Sequence, residues 1–180
     1  MADRIGYDGL TMSRVADVLG VRTPSLYKHV SSLEDLGSRL ATLTLLQLDT
    51  EVGRAVQGRA DRDALLAASW AMREYVASHP GRYSATLRVG LGGRGTAEQA
   101  AAAGLLRTFG AILRGYDLSP TATVHALRML RSAIHGFCSL AAAGSFRLGG
   151  DVDEDFTWML DFIDAGLRND APPRSGPASS

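Results

Sequence analysis

Residues 10–30 read LTMSRVADVLGVRTPSLYKHV, and the reading of the fold turns on this stretch. Val15, Ala16, Leu19, Gly20, Val21 and Leu26 have the spacing of two short helices, about residues 13–19 and 24–29, crossing at a tight turn. Ala16 is small where the helices approach, Gly20 frees the turn, and Val15, Leu19, Val21 and Leu26 form the small core that sets the crossing angle. The second helix then presents Arg22, Thr23, Ser25, Tyr27, Lys28 and His29. These are guanidinium, hydroxyl, ammonium and imidazole groups suited to phosphates and base edges, on an element narrow enough for the major groove. Arg22 is the residue expected to read sequence, because a bidentate contact to guanine discriminates by about 1–3 kcal/mol. A phosphate clamp is the other role open to it. Tyr27 suits a core edge as well as a groove edge, and His29 also suits a helix C-terminus. A helix pair this short arises without any DNA role too, and local charge does not decide. Arg4, Arg14, Arg22, Lys28 and Arg39 stand against Asp3, Asp8, Asp17, Glu34 and Asp35 in the first 40 residues.

The rest of the chain continues the helical pattern. Of 180 residues, 46% are apolar and 21% charged, which excludes a disordered chain. Apolar residues recur at three and four positions, strand alternation is missing, and the expected fold is all-α with about eight helical segments. Nineteen Lys plus Arg balance nineteen Asp plus Glu, so no global field draws the molecule to DNA or an anionic membrane. A single cysteine, Cys138, excludes an internal disulfide. No run is long and apolar enough to span a bilayer, and no signal-peptide core is visible, so the expected location is cytoplasmic. Residues 169–180, rich in Pro, Ser and Gly, are expected to form a disordered tail.

The last two helices, about residues 120–143 and 153–167, are apolar over more than one stripe. Val124, Leu127, Leu130, Ile134 and Phe137 form one face of the first, beside Met129, Ala133, Gly136 and Leu140. Phe156, Met159, Leu160 and Ile163 form one face of the second, with Trp158 and Phe162 beyond. Helices so broadly apolar need cover on two sides. A second copy of the pair supplies it most economically, which predicts a homodimer with Val124, Leu127, Ile134, Phe137, Phe156, Trp158 and Ile163 at the interface. Between the two regions, Trp70, Tyr83, Phe109, His125 and Met129 are the candidates to line an apolar cavity, and Arg107, Arg128 and Arg131 would neutralise an acidic ligand if they point inward.

Other patterns carry no chemistry. The four histidines share no metal-ligand spacing, so neither metal nor cofactor is expected. Asp151, Asp153 and Asp155 imitate a calcium loop, but Phe156 stands where Gly is needed, and capping of the last helix accounts for them. The 90–95 glycine-rich stretch lacks the Lys-Ser/Thr of a phosphate loop and reads as a connection, with Thr96 capping the next helix. No nucleophile, base and acid come together, so the chain is not read as an enzyme.

Gly6-Tyr7-Asp8-Gly9-Leu10-Thr11, Val15-Ala16, Leu19-Gly20-Val21, Leu26-Tyr27-Lys28-His29-Val30 and Leu33-Glu34-Asp35-Leu36 together resemble the N-terminal domain of TetR-family transcriptional repressors. Arg131-Ser132-Ala133-Ile134-His135-Gly136-Phe137, Gly144-Ser145-Phe146 and Asp151-Val152-Asp153-Glu154 resemble a C-terminal regulatory domain of one branch of that family. The resemblance implies a helix-turn-helix domain at 1–30 and a regulatory, ligand-binding and dimerisation domain at 31–168. It implies a homodimer on a palindromic double-stranded DNA operator, released by a small apolar effector. By position, Thr11 caps the first helix of the motif and donates to a phosphate, Arg22, Thr23 and Ser25 face base edges, and Tyr27, Lys28 and His29 lie at the backbone. The family's full first helix has only Met1–Ile5 here, which implies either a misplaced start, the favoured reading, or a motif missing one wall with Val15, Leu19 and Leu26 partly uncovered, and predicts weaker DNA binding than an upstream-extended chain. The alternative is a ligand-binding helical dimer that has lost DNA binding.

Overall fold

Capping chemistry sets where each helix begins. The computed structural model describes residues 1–88 and 97–169, and every helix or strand assigned among them is a helix: α1 (Ala2–Ile5), α2 (Met12–Leu19), α3 (Thr23–Leu26), α4 (Leu33–Ala55), α5 (Asp61–Ser78), α6 (Pro80–Arg88), α7 (Ala97–Leu113), α8 (Pro120–Ala142) and α9 (Val152–Asn169). A 3-10 turn at Arg114–Tyr116 follows α7. The Thr11 hydroxyl accepts the Arg14 N–H at 3.2 Å. Gly20 ends α2 at φ 67°, where a side chain is strained. Ser32 accepts from the Asp35 N–H (3.0 Å) while Asp35 reaches back to the Ser31 N–H (2.8 Å), a reciprocal cap that fixes how the chain enters α4. Arg39 and Ser31 hold the Asp35 carboxyl down at about 2. The Ser119 hydroxyl accepts from the Ala122 N–H at 3.2 Å, and Pro120 follows as the first residue of α8. Asp151 accepts from the Asp153 N–H at 2.8 Å, a cap and not a calcium ligand.

Two cores result. The large one joins α4 to α9 through Leu48, Leu65, Phe109, Leu130, Phe156 and Leu160. The small one is Met12, Ala16 and Leu26, backed by Val15, Val30 and Leu36. This corrects the predicted motif core, because Leu19 is 60% and Val21 43% exposed. Met12, Val30 and Leu36 supply the packing instead, since α1 is one short turn that packs on α6. Asn169 is the last residue of α9 and not the first of a tail. The tail beyond it, the 90–95 connection and the Thr96 cap lie outside the described residues.

Candidate functional site

The motif surface differs from its sequence reading in one respect: α3 is only four residues long. Arg22 precedes it as the N-cap in extended conformation (φ −79°, ψ 141°). Tyr27, Lys28 and His29 follow it in a turn closed by the His29 N–H to the Leu26 carbonyl (2.8 Å). Thr11, Arg22, Ser25, Tyr27, Lys28 and His29 are all exposed, while Thr23 is half-buried at the first position of α3. Tyr27 is therefore not a core-edge ring. Neither Arg22 nor Lys28 has an ion-pair partner among the described residues. Both charges remain available to an anion. Arg14, by contrast, is tied to the Gly9 carbonyl at 2.8 Å and shapes the turn before α2.

A cavity of about 90 Å³ lies between α4, α6, α7 and α8, with Met72 of α5 also on its wall. Of the five candidate cavity residues, Tyr83 and Phe109 line it, and Trp70, His125 and Met129 do not. Trp70 instead sets its edge against Phe156 (5.1 Å, 84°), under the Arg73 guanidinium at 4.7 Å. His125 and Met129 are exposed. The cavity takes Leu127, Leu130, Arg131 and Ile134 from α8, a three-and-four stripe that positions 125 and 129 miss. Leu45, Leu48 and Thr86 were missed by the sequence reading; they look like any apolar or β-branched helix positions. Among the three arginines considered, Arg131 alone reaches the wall. Burial pushes the Tyr83 hydroxyl up to about 12, so it stays protonated at neutral pH.

The predicted dimer residues divide. Ile134, Phe156 and Ile163 are inside the protomer core and have no surface to offer a partner, while Leu127 and Phe137 are half-buried against that core. Val124 and Trp158 are exposed. The outward apolar face of α8 and α9 is formed by Met129, Leu140, Trp158 and Phe162, with the last two 70% exposed and their rings stacked at 5.8 Å.

The motif end and the cavity share a helix. Arg82 of α6 donates its backbone N–H (2.9 Å) and its Nε (2.7 Å) to the Asp3 carboxylate of α1. Burial raises the Asp3 carboxyl, but these bonds outweigh it and hold it below its ordinary value. Arg82 also reaches Gln47 of α4 at 3.2 Å, which accepts from the Tyr75 hydroxyl at 2.8 Å. Arg88 pairs with Asp8 at 2.6 Å. One residue after Arg82, Tyr83 faces the cavity. The Asp3–Arg82 and Asp8–Arg88 pairings span about 80 residues of sequence and leave no local signal. Among the described residues no group of three or more His, Cys, Asp or Glu is placed to hold a metal, and no helix is long and apolar enough to cross a membrane.

Comparison with known proteins agrees with this arrangement. The family described as "Tetracyclin repressor-like, C-terminal domain" matches residues 65–163. An uncharacterized HTH-type transcriptional regulator of Mycobacterium tuberculosis, Rv0681, is 39% identical over 167 residues, covering 92% of this chain and 75% of that protein. A protein of unknown function from Rhodococcus sp. RHA1 has the same fold (TM-score 0.78, 23% identity, 93% of this chain and 89% of that one). So does a TetR variant from Acinetobacter baumannii AYE in complex with minocycline (TM-score 0.71, 23% identity, 93% and 90%). With more than half its length matching the family's C-terminal domain and a relative 39% identical over 92% of the chain, the chain belongs to the TetR family of helix-turn-helix transcriptional regulators.

Proposed function

We propose that the protein is a cytoplasmic, homodimeric repressor that reads a palindromic operator with α2 and α3 and is released when a small apolar effector enters the α4–α6–α7–α8 cavity. The observation that carries this reading is the double role of α6, one side of which forms a cavity wall while Gly81 and Arg82 hold α1. Residues 1–30 act as the DNA-binding unit and 31–168 as the regulatory and dimerisation unit, joined through α4 and through the α1–α6 contact. The complex of the A. baumannii TetR with minocycline, a protein of the same fold, supports an effector in the larger unit. The Arg131–Phe137 stretch supports the branch with a His-Gly-Phe regulatory domain, since it contributes Arg131 to the cavity and sets His135 against the Tyr83 ring at 5.8 Å.

Genomic-fragment selection followed by anisotropy titration tests the DNA half of the proposal. A recovered palindrome bound far more tightly than random duplex is the expected result. Arg22→Ala should then weaken the operator complex by about 10–100-fold and relax selectivity at one base pair per half-site. A uniform loss across sequences would make Arg22 a phosphate contact instead. If no fragment is enriched, the alternative of a ligand-binding dimer without DNA affinity takes its place.

Coupling through α6 is tested at Gly81. A Cβ there collides with the backbone of Ala2 and Asp3, which cannot swing aside as a flexible side chain would. Gly81→Ala should therefore displace α1 at a cost of about 1–3 kcal/mol and lower operator affinity at least about tenfold, with helicity and dimer mass unchanged. Wild-type operator affinity in a folded Gly81→Ala variant would remove α6 from the route.

A further inference from the structure

The cavity has one charged residue on its wall, and that charge has no partner. Every lining residue is apolar except Tyr83, Thr86 and Arg131. Thr86 spends its hydroxyl on the Tyr83 carbonyl at 2.7 Å. Arg131 is exposed, makes no ion pair or hydrogen bond among the described residues, and forms part of the cavity lining. This contrasts with Arg39, Arg54, Arg62, Arg73, Arg82, Arg88 and Arg168, each of which meets a carboxylate. Tyr83 is 7% exposed, yet its hydroxyl has no hydrogen-bond partner among the described residues. The hydroxyl itself is not sealed from solvent, so it is free to donate to an acceptor that enters the cavity.

Both groups line the same cavity. The Arg131 charge acts on both the Tyr83 hydroxyl and the His135 ring, which itself leans on Tyr83. Burial and Arg131 together disfavour a charged His135, leaving Arg131 as the cation at this end. No carboxylate lines the wall; the nearest on α7, Glu98, precedes the cavity stripe by one turn at Ala102. A guanidinium beside a phenol donor, opening onto Leu48, Leu105, Phe109 and Leu130, matches an acid with a hydrocarbon body. A cavity of about 90 Å³ is smaller than the engineered void of about 150 Å³ that holds benzene, so the enclosed hydrocarbon body has on the order of four carbons.

We infer that the cavity selects a small apolar monocarboxylate, whose carboxylate pairs with Arg131 and accepts from the Tyr83 hydroxyl while its hydrocarbon lies among the α4, α7 and α8 side chains. This deepens the effector-site reading above and rests on it.

Calorimetric titration of the full chain at pH 7.5 with two probes, sodium pentanoate and 1-pentanol, tests both levels separately. The wild type should bind pentanoate at least about tenfold more tightly than pentanol. Arg131→Gln should bring the two to parity, Arg131→Lys should restore part of the preference, and Tyr83→Phe should weaken pentanoate severalfold while sparing pentanol. Arg128→Gln, on the exposed side of α8, is the control that should keep the preference. Equal binding of both probes, unaffected by Arg131→Gln, would overturn the acid specificity and leave the cavity as an effector site. Failure of both probes to bind would overturn the effector-site reading, and the acid specificity with it. Arg131 is solvent-exposed, so loss of folding in Arg131→Gln is not expected; a thermal melt alongside each titration checks that.

Discussion

Trp158→Asp combined with Phe162→Asp is expected to leave a folded protomer that elutes as a monomer and whose operator affinity falls about a thousandfold. Both rings are 70% exposed and stack on each other, outside the protomer core. Removing them therefore leaves the fold's own packing in place. Across a two-fold axis they become four rings, and burying most of the area of each contributes roughly 10 kcal/mol at about 25 cal/mol per Å². That is comparable with the cost of associating two protomers, about 4–15 kcal/mol. Replacing the rings with carboxylates removes the gain and adds like charges facing each other. The DNA consequence follows from linkage: on the proposed palindromic operator a monomer would engage one half-site and lose the roughly 10²–10⁴-fold advantage of a tethered second contact. Sedimentation at micromolar protein, with circular dichroism, separates the outcomes. A dimer that persists with both substitutions would move the interface away from α8 and α9.

How much of this was legible depended on whether a feature was local. The helix-turn-helix was readable because Ala16, Gly20 and Leu26 act within a dozen residues, and the caps at Thr11, Ser32 and Ser119 are written beside the helices they start. Which apolar stripe faces inward was not readable. Ile134, Phe156 and Ile163 look like Met129, Leu140 and Phe162 to any periodicity argument, and only the packing partners separate core from outer face. The same limit misplaced His125 and Met129, one stripe away from Leu127, Leu130 and Arg131 on α8. Leu19 and Val21 were assigned to the motif core because they are apolar, but burial needs a neighbour and none covers them. The Asp3–Arg82 and Arg88–Asp8 pairs join residues about 80 apart, where a short sequence window contains nothing to find.

Phe156→Ala should destabilise the protomer by about 3–5 kcal/mol, a large part of the roughly 5–15 kcal/mol by which a domain is stable. The ring is fully buried, with Trp70 edge-on at 5.1 Å, Phe137 at 4.9 Å and the Arg73 guanidinium at 5.0 Å. Truncation leaves a void that the rigid Trp70 and Phe137 rings cannot close, and it removes one of the faces that shelter the Arg73 charge. Arg73 also pairs with Asp153 at 2.6 Å, so the same loss loosens the first turn of α9 from α5. Urea unfolding followed by Trp70 fluorescence, in a Trp158→Phe background, measures the cost. A loss under about 1 kcal/mol would mean that α9 is not anchored through this ring. The comparison with the first variant is informative because both act on one helix. Phe156, Leu160, Ile163 and Leu167 turn inward at three- and four-residue steps while Trp158 and Phe162 turn out. Substitution on the inner stripe should lower stability in the monomer and dimer alike, whereas substitution on the outer stripe should change mass at nearly constant monomer stability. A Phe156→Ala protein that keeps its unfolding midpoint but dissociates would exchange the two faces, and the interface proposed here would have to be rebuilt around the residues now placed in the core.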